Sequence, residues 1–232
     1  YVTQDMQSTL PSVVDMDYDN LFTTNADGGQ RFVKWRDARY ACLAERGYFD
    51  KSHLGTLRRL GSILQGHPDM RKTPGVDMTA GSLGHGLGAG IGMALAGKLR
   101  GRDYHVWVVI GDGETQEGSV WEAAMSAPRW KLDNLTAILD GNRLQNDACV
   151  VDLMPVEPLS DKWRAFGWNV QEIDGHDMEA VVRSLEGSRA RDGLPTMIVA
   201  RTVKGKGVSY MEDVVEWHGK APCREEAEEA LA

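Results

Sequence analysis

The sequence predicts an α/β protein whose parallel sheet carries helices on both faces. From residue 104 onward, short apolar β-like segments alternate with helical segments, which is typical of βαβ units. We expect strands near residues 105–110, 135–140, 168–173 and 196–201, and helices near 119–127, 160–166 and 177–187. A chain of 232 residues, 42% of them hydrophobic, can bury the core of one such domain.

The first thirty residues are poorly assigned by their pattern. Residues 12–18 fit an edge strand or a helical turn, and residues 25–29 fit a loop. Apolar spacing predicts a helix from Arg36 to Gly47 and a second, short helix from Leu54 to Leu64. No repeat or low-complexity linker divides the chain, so we expect a single domain over residues 1–232.

A loop with Pro and Gly covers residues 73–81, and a helix of small residues is predicted from about Leu83. Glycines stand at alternate positions from 84 to 92, and each costs a helix up to about 1 kcal/mol relative to Ala. The gain we expect is close packing on a neighbouring backbone, above all from Gly88 to Gly92. The acidic segment 224–232 is predicted to be a solvated helix.

Composition excludes several classes of partner. A net charge of −8 argues against nucleic acid and against an anionic membrane surface. Cys42, Cys149 and Cys223 lie far apart and are odd in number, which indicates free thiols in a reducing compartment. Neither a long apolar span nor a basic-then-apolar leader pattern occurs. We therefore expect a cytoplasmic protein.

Two polar residues follow two predicted strands. Asp112 stands between Gly111 and Gly113, directly behind the apolar segment 106–110, and Asn142 follows the segment 135–139. Strands of a parallel sheet end at one edge, so an acid and an amide there can share a hard cation such as Mg²⁺. Glycines beside the acid let backbone N–H groups approach a diphosphate. An ordinary turn would explain Gly-Asp-Gly alone.

Longer segments carry a resemblance to a known family. GDGETQEGSVWEAAMSAP, continued by LDNLTAILDGNRLQNDA, resembles the thiamine-diphosphate signature, in which an Asn follows GDG by about thirty residues. LQGHPDMRKTPGVDMTAGSLGHG, LSDKWRAFGWNVQEIDGHD and TVKGKGVSYMEDVVEWHGKAP are similar to the amino-terminal part of transketolase. The similarity runs from about Arg31 onward and looks like the separate amino-terminal subunit of split transketolases. It implies the thiamine-diphosphate-binding fold.

The resemblance implies roles for particular residues. The metal ligands would be Asp112, Asn142 and the carbonyl of Leu144, holding Mg²⁺ or another divalent cation such as Ca²⁺ or Mn²⁺. Thiamine diphosphate would contact further residues: Gly81, Ser82, Leu83, Gly113, Glu114, Lys204 and His218. The catalytic residues implied are His67 as donor to substrate hydroxyls, Glu117 in a carboxylate network that passes protons between active sites, and His218.

Plainer interpretations stand beside these roles. His67 and His218 fit ordinary loop histidines, Lys204 fits a surface charge, and Glu117 fits an acid at a helix start. Three further histidines are expected to be solvated or locally hydrogen-bonded: His85, His105 and His176. GxGxxA from residue 84 does not predict NAD binding, because a Pro-containing loop precedes it instead of a strand.

The chain also departs from the family pattern. Arg143 stands where many relatives have Gly, so its side chain should point away from the metal and the backbone there could be shifted. The family's SGHxG element is absent, and residues 34–38 replace its LSKGHA run. Either these stretches are missing from this chain, which the absent initiator Met favours, or its sugar-facing part has diverged.

The resemblance further implies half of an active site. No residue here matches the carboxylate that activates the cofactor, which in the family lies in the pyrimidine-binding domain. We therefore expect a carboxy-terminal partner subunit in a two-plus-two heterotetramer. The expected reaction is transfer of a two-carbon ketol unit from a ketose to an aldose, with sugar or sugar-phosphate substrates. Two alternatives remain: a relative that uses a 2-oxoacid or a specialised ketose of secondary metabolism, or a non-catalytic scaffold subunit.

Overall fold

The computed structural model describes residues 2–4, 22–24, 30–32, 35–190, 192–220 and 222–231. These residues fall into two compact units. The larger unit holds residues 2–4 and the described part of 82–218; the smaller holds the described residues between 22 and 81 together with those from 219 onward. The expectations for residues 12–18 and 25–29 lie outside the described residues. The prediction of one domain over the chain stays a prediction.

The helices and strands are numbered in chain order. Among the described residues the strands are β1 (Val2–Gln4), β2 (Phe22–Thr24), β3 (Gln30–Phe32), β4 (Val106–Gly111), β5 (Leu135–Gly141), β6 (Asn169–Asp174) and β7 (Thr196–Arg201). The α-helices are α1 (Trp35–Glu45), α2 (His85–Leu99), α3 (Gly118–Arg129), α4 (Val150–Leu153), α5 (Leu159–Ala165), α6 (Met178–Gly187) and α7 (Arg224–Leu231). None of these helices is long and apolar enough to cross a bilayer.

The larger unit is built on one sheet with the strand order β1-β4-β5-β7-β6. β1 pairs antiparallel with β4, and the other four strands are parallel. Across the sheet, the chain moves from β4 to the neighbouring β5 and then to β6 at the edge of the sheet. It then returns to β7, which lies between β5 and β6. Because such crossovers are right-handed, α6 lies on the face opposite to α3 and α5. The predicted parallel sheet with helices on both faces is confirmed.

The core of this unit lies along the central strands. All five residues from Thr196 to Ala200 of β7 are buried, as expected for a strand covered on both faces. α2 packs closely on β4, since a Cβ at Gly90 would lie 2.4 Å from Cγ2 of Val108. A Cβ at Gly88 or Gly92 would meet no atom within 4 Å. The predicted close packing is therefore found at Gly90, against side chains and not a backbone, and is wrong at Gly88 and Gly92.

The smaller unit contains a β2–β3 pair, α1 and α7. The predicted helix from Leu54 to Leu64 is wrong: a 3₁₀ helix spans Lys51–Thr56, and turns follow it. The reason is local, because Arg58 and Gly61 adopt left-handed backbone conformations, with φ of 60° and 80°, that no helix tolerates. α7 forms where the acidic segment predicted a helix.

Candidate metal and diphosphate site

Asp112 connects two loops at the carboxyl edge of the sheet. Its backbone N–H donates to the carbonyl of Asp140 at 3.1 Å, which extends the β4–β5 pairing by one residue. Oδ1 accepts a hydrogen bond from the Gly113 N–H at 2.8 Å, and Oδ2 accepts one from the Arg143 N–H at 2.6 Å. One carboxylate thus holds the segment after β4 against the segment after β5.

The Asp112 carboxylate is buried and only partly compensated. Its residue is 4% exposed, and no Lys, Arg or His among the described residues forms a salt bridge with it. Burial raises the pKa of Asp112 above its ordinary value, and the N–H groups of Arg143 and Gly113 oppose that shift without cancelling it. A buried carboxylate is costly without a cation. The position therefore suits a bound divalent cation.

Asn142 places an amide beside this carboxylate. Asn142 is 7% exposed, and its Nδ2 donates to Oδ2 of Asp140 at 2.8 Å. Its Oδ1 accepts the N–H of Leu144 at 2.9 Å and retains a second lone pair. Among the described residues, no three His, Cys, Asp or Glu side chains gather into a metal-binding group. A cation here would rest on carboxylate, amide and carbonyl oxygens, the donors that Mg²⁺ and Ca²⁺ take.

Arg143 adopts a backbone conformation that normally favours glycine. Its φ is 64°, which costs a residue with a Cβ roughly 1–2 kcal/mol. The side chain is 68% exposed and turns away from the buried carboxylate, with Nη2 lying 3.5 Å from Oδ2 of Asp213. The expected outward direction of this side chain is observed. The backbone N–H of Arg143 still donates to Asp112, so an Arg at this position keeps the hydrogen bond that a Gly could also make.

Glu114 makes contacts that its predicted role did not include. Oε1 accepts the N–H of Gly84 at 2.9 Å, and Oε2 accepts the N–H of Gly111 at 3.2 Å. Gly84, with φ of 81°, precedes the first residue of α2. Glu114 therefore ties the start of α2 to the end of β4. Its predicted contact with the cofactor stays a prediction.

The loops around Asp112 come close to one another. A Cβ at Gly113 would lie 3.1 Å from Cβ of Gln145, so a larger residue would press on the loop that follows Asn142. Ser82 and Leu83 are exposed just before the start of α2. Glu117, also exposed, is the residue immediately before α3. The glycine at 113 thus permits the close approach of the loop that carries Gln145, and its predicted contact with the cofactor stays a prediction.

Lys204 and His218 lie in the segment that follows β7, and both are half-buried. The Lys204 carbonyl accepts the N–H of Asp213 at 3.0 Å, and Asp213 is the residue that pairs with Arg143. His218 ends a short 3₁₀ helix over Val215–His218. The segment carrying Lys204 is therefore linked to the loop that carries Asn142.

His67 and Gly81 are neighbours within the smaller unit. The His67 side chain is exposed, and a Cβ at Gly81 would lie 2.8 Å from its Cδ2. The Ala80 N–H donates to the Pro68 carbonyl at 3.2 Å, which holds the two loops together. Only a glycine at position 81 lets the imidazole occupy this place.

His85, His105 and His176 are exposed or hydrogen-bonded, as their plainer interpretation predicted. His105 is buried, with Nε2 2.8 Å from Oγ1 of Thr136, and His176 accepts the N–H of Val203 at 2.8 Å through Nε2. His85 is exposed. The His105 and His176 contacts are hydrogen bonds to residues that the sheet brings close in space.

Asp140 and Thr202 are two residues near this site that the sequence patterns did not single out. Asp140 accepts the Asn142 amide, and the Thr202 hydroxyl donates to the other Asp140 oxygen. A signal for Asp140 was present, because it stands two residues before Asn142 and alternate residues at a strand end share a face. No sequence signal pointed to Thr202, which meets Asp140 only through the β5–β7 pairing.

The sheet has a buried acid and amide at the carboxyl ends of neighbouring strands, which is the edge where open α/β sheets bind their ligands. Residues 38–231 match the family model described as "Transketolase, thiamine diphosphate binding domain", and the chain belongs to this family. The resemblance and the fold class predicted from the sequence are confirmed, and relatives of this chain are named transketolase subunits, which are transferases.

Several relatives extend this result. The chain is 44% identical over 195 residues to an apulose-4-phosphate transketolase subunit of Phocaeicola vulgatus, covering 84% of this chain and 69% of that protein. It is 44% identical over 214 residues to the 6-deoxy-6-sulfo-D-fructose transketolase subunit SqwG of a Clostridium species, covering 92% of this chain and 75% of that protein.

A solved structure agrees with these relatives. The transketolase of Campylobacter jejuni superposes with a TM-score of 0.78 at 31% identity, covering 84% of this chain. The chain spans 32% of the length of that transketolase chain.

Proposed function

We propose that this chain is the amino-terminal, thiamine-diphosphate-binding subunit of a split transketolase. Together with a carboxy-terminal partner it transfers a two-carbon ketol unit from a ketose to an aldose. Two observations of relatives support this: proteins named transketolase subunits are matched over 69% and 75% of their length, whereas the solved transketolase chain is matched over 32%. The partner supplies the pyrimidine-binding domain, and the assembly is a two-plus-two heterotetramer in the cytoplasm.

The observation that carries the proposal is the buried Asp112 carboxylate beside Asn142. Asp112, Asn142 and the Leu144 carbonyl offer a hard-oxygen set that suits Mg²⁺, and the cation offsets the burial of the carboxylate. When bound, thiamine diphosphate supplies an electron sink for the carbanion that forms as the ketose is cleaved. This chain's part is to hold the diphosphate through the metal and to exclude water from it.

Other residues complete the proposed site. Contacts to thiamine diphosphate come from two loops and from the segment after β7: Gly81, Ser82, Leu83, Gly113, Glu114, Lys204 and His218. Glu117, exposed at the start of α3, takes part in the carboxylate network between active sites. The exposed His67 imidazole donates to a hydroxyl of the sugar donor.

A relative with a specialised donor is the second candidate. Arg143 has a side chain that is 68% exposed on the loop following Asn142, at a position where the family resemblance implies Gly. The names of two relatives also specify particular donors, an apulose phosphate and a sulfonated deoxyfructose. A panel of neutral, phosphorylated and sulfonated ketoses, and of 2-oxoacids, assayed on the assembled enzyme, distinguishes this candidate from a general transketolase.

The test of the proposed function is reconstitution. The purified chain with Mg²⁺ and thiamine diphosphate should show no ketol transfer, because the carboxylate that activates the cofactor lies on the partner. Addition of the carboxy-terminal chain should start turnover, measured by formation of the two sugar products. Turnover by this chain alone, shown to be free of partner by mass spectrometry, would refute the split-subunit proposal. Absence of turnover and of cofactor binding in the reconstituted complex would favour a scaffold subunit.

His67 gives a second test in the assembled enzyme. His67→Ala removes one donor to the substrate, so kcat/KM for the ketose should fall about ten- to a hundredfold, which corresponds to roughly 1–3 kcal/mol. Affinity for thiamine diphosphate should stay as in the wild type. His53→Ala, in the 3₁₀ helix of the same unit, is the matched control. Unchanged donor kinetics would make His67 an ordinary loop residue.

A further inference from the structure

Asp140 lies between Asn142 and Thr202 at the end of β5. Its Oδ2 accepts the Asn142 Nδ2 at 2.8 Å, and its Oδ1 accepts the Thr202 hydroxyl. On the other side of the same amide, Asn142 Oδ1 accepts the Leu144 N–H at 2.9 Å. Every polar atom of the Asn142 amide therefore has a partner of a defined kind.

These partners permit one orientation of the amide. A carboxylate such as Asp140 can only accept, and the backbone N–H of Leu144 can only donate. Rotating the amide by 180° would turn its oxygen toward the Asp140 carboxylate and its NH₂ toward the Leu144 N–H. Both hydrogen bonds would become repulsive contacts, so the oxygen of Asn142 is held on the side of Leu144.

Asp140 is itself fixed by the neighbouring strand. Thr202 follows β7, and Asp140 pairs with Ala200 in the β5–β7 register. The backbone carbonyl of Asp140 also accepts the Asp112 N–H at 3.1 Å. One residue thus supports both side chains of the proposed metal site, with its backbone under Asp112 and its carboxylate under Asn142.

We propose that Asp140, held in place by Thr202, is a positioning residue that orients the Asn142 amide so that its oxygen faces the divalent cation. This inference rests on the proposed function, because it assumes a cation at Asp112 and Asn142. The two Asp140 oxygens face Asn142 and Thr202, so the inference gives Asp140 a positioning role and not a ligand role. Outer partners of this kind contribute about 10–100-fold to metal affinity in proteins.

The test compares three variants of the full chain, titrated calorimetrically with Mg²⁺ at saturating thiamine diphosphate. Asp140→Leu removes the acceptor and should weaken Mg²⁺ binding about 10–100-fold. Asp140→Asn should restore most of that loss, because its amide oxygen still accepts Asn142 Nδ2 while the Thr202 hydroxyl accepts its NH₂. Asp174→Leu, at the exposed end of β6, is the matched control and should bind Mg²⁺ like the wild type.

The outcomes separate the inference from the proposed function. Wild-type Mg²⁺ affinity in Asp140→Leu, or equal losses in Asp140→Leu and Asp140→Asn, would overturn the positioning role alone. A wild-type chain that binds thiamine diphosphate without any dependence on Mg²⁺ would overturn the proposed metal site itself. If Asp140→Leu does not fold, the nearly isosteric Thr202→Val decides: weaker Mg²⁺ binding with unchanged thermal unfolding supports the inference, and unchanged Mg²⁺ binding contradicts it.

Discussion

Acidic residues beside the same sheet lie in two different electrostatic environments, that of Asp112 and that of Glu157 and Glu172. At the ends of β4 and β5, Asp112 is buried and its oxygens accept only backbone N–H groups. Glu157 follows α4, Glu172 lies on β6, and both are exposed. Both pair with Arg201 at the end of β7, and Nε of Arg201 lies 2.9 Å from Oε1 of Glu172. Glu157 and Glu172 thus share a cationic partner, and these three residues are called the Arg201 group. Asp112 has no cationic partner among the described residues.

For this reason the pKa of Asp112 is raised, whereas the pKa values of Glu157 and Glu172 are lowered. Burial raises the pKa of Asp112. Burial also raises the pKa of Glu157, but hydrogen bonds from Arg201 and the Leu159 N–H, with the charge of Arg201, outweigh it and leave that pKa below its ordinary value. Hydrogen bonds from Ser160 and Arg201 lower the pKa of Glu172. The comparison indicates that the Arg201 group is structural, whereas the Asp112 carboxylate is suited to bind a cation from outside.

The largest expected effect comes from removing the buried carboxylate. Asp112→Ala should weaken Mg²⁺-dependent binding of thiamine diphosphate by more than about a hundredfold, because loss of an outer partner alone costs 10–100-fold. Glu172→Ala, in the Arg201 group, is the control and should leave cofactor binding unchanged. Calorimetric titration in Mg²⁺ measures both. Equal affinities in the two variants would abolish the distinction between the groups.

The next effect concerns the residue that ties α2 to β4. Glu114→Gln replaces one acceptor oxygen by a donor, so either the Gly84 or the Gly111 N–H loses its partner. A buried donor left without an acceptor costs about 1–3 kcal/mol, and the free energy of unfolding should fall by that amount. Denaturant unfolding measures it, with Glu122→Gln, exposed on α3, as the control. No difference between the two variants would show that the Glu114 contacts contribute nothing.

A smaller and pH-dependent effect is expected at Arg201. Glu157 and Glu172 have lowered pKa values, so their pairing stabilises the fold above the ordinary value of 4.5 and is lost as the pH falls through their folded pKa values. Arg201→Met should therefore reduce stability by about 1 kcal/mol or less at neutral pH, since solvent screens exposed pairs. The difference from the wild type should shrink below pH 4.5. Thermal unfolding across pH measures it; a constant difference would contradict the pairing.

The smallest effect is expected at Arg143. Arg143→Gly removes the strain of a left-handed backbone conformation, which raises the free energy of unfolding. It also removes an exposed ion pair and makes the unfolded chain more flexible, and both of these lower the free energy of unfolding. Each of the three contributions is about 1 kcal/mol. Stability should therefore change by less than about 1 kcal/mol, and Mg²⁺ affinity should stay the same because the backbone N–H to Asp112 is retained. Unfolding and Mg²⁺ titration of the variant check both. A large loss of Mg²⁺ affinity would give the side chain a role in the site.

Sequence patterns predicted the parallel sheet because β4, β5 and β7 are mainly apolar segments that alternate with helical segments. Asp112 and Asn142 could be predicted since each follows such a run and both ends meet at one edge. The segment from Leu54 to Leu64 was mispredicted because its apolar spacing fits a helix, while Arg58 adopts a left-handed conformation that no spacing reveals. Thr202 could not be predicted either, because its partner Asp140 is distant in sequence and only the strand order brings them together.

The most direct measurement is a crystal structure with Mn²⁺ and thiamine diphosphate, prepared from this chain with its carboxy-terminal partner. Anomalous scattering would locate the metal without assumptions about its ligands. We predict one peak per copy of this chain, at about 2.0–2.2 Å from an Asp112 carboxylate oxygen, the Asn142 amide oxygen and the Leu144 carbonyl. Cofactor bound with the metal elsewhere, for example between Glu157 and Glu172, would contradict this prediction.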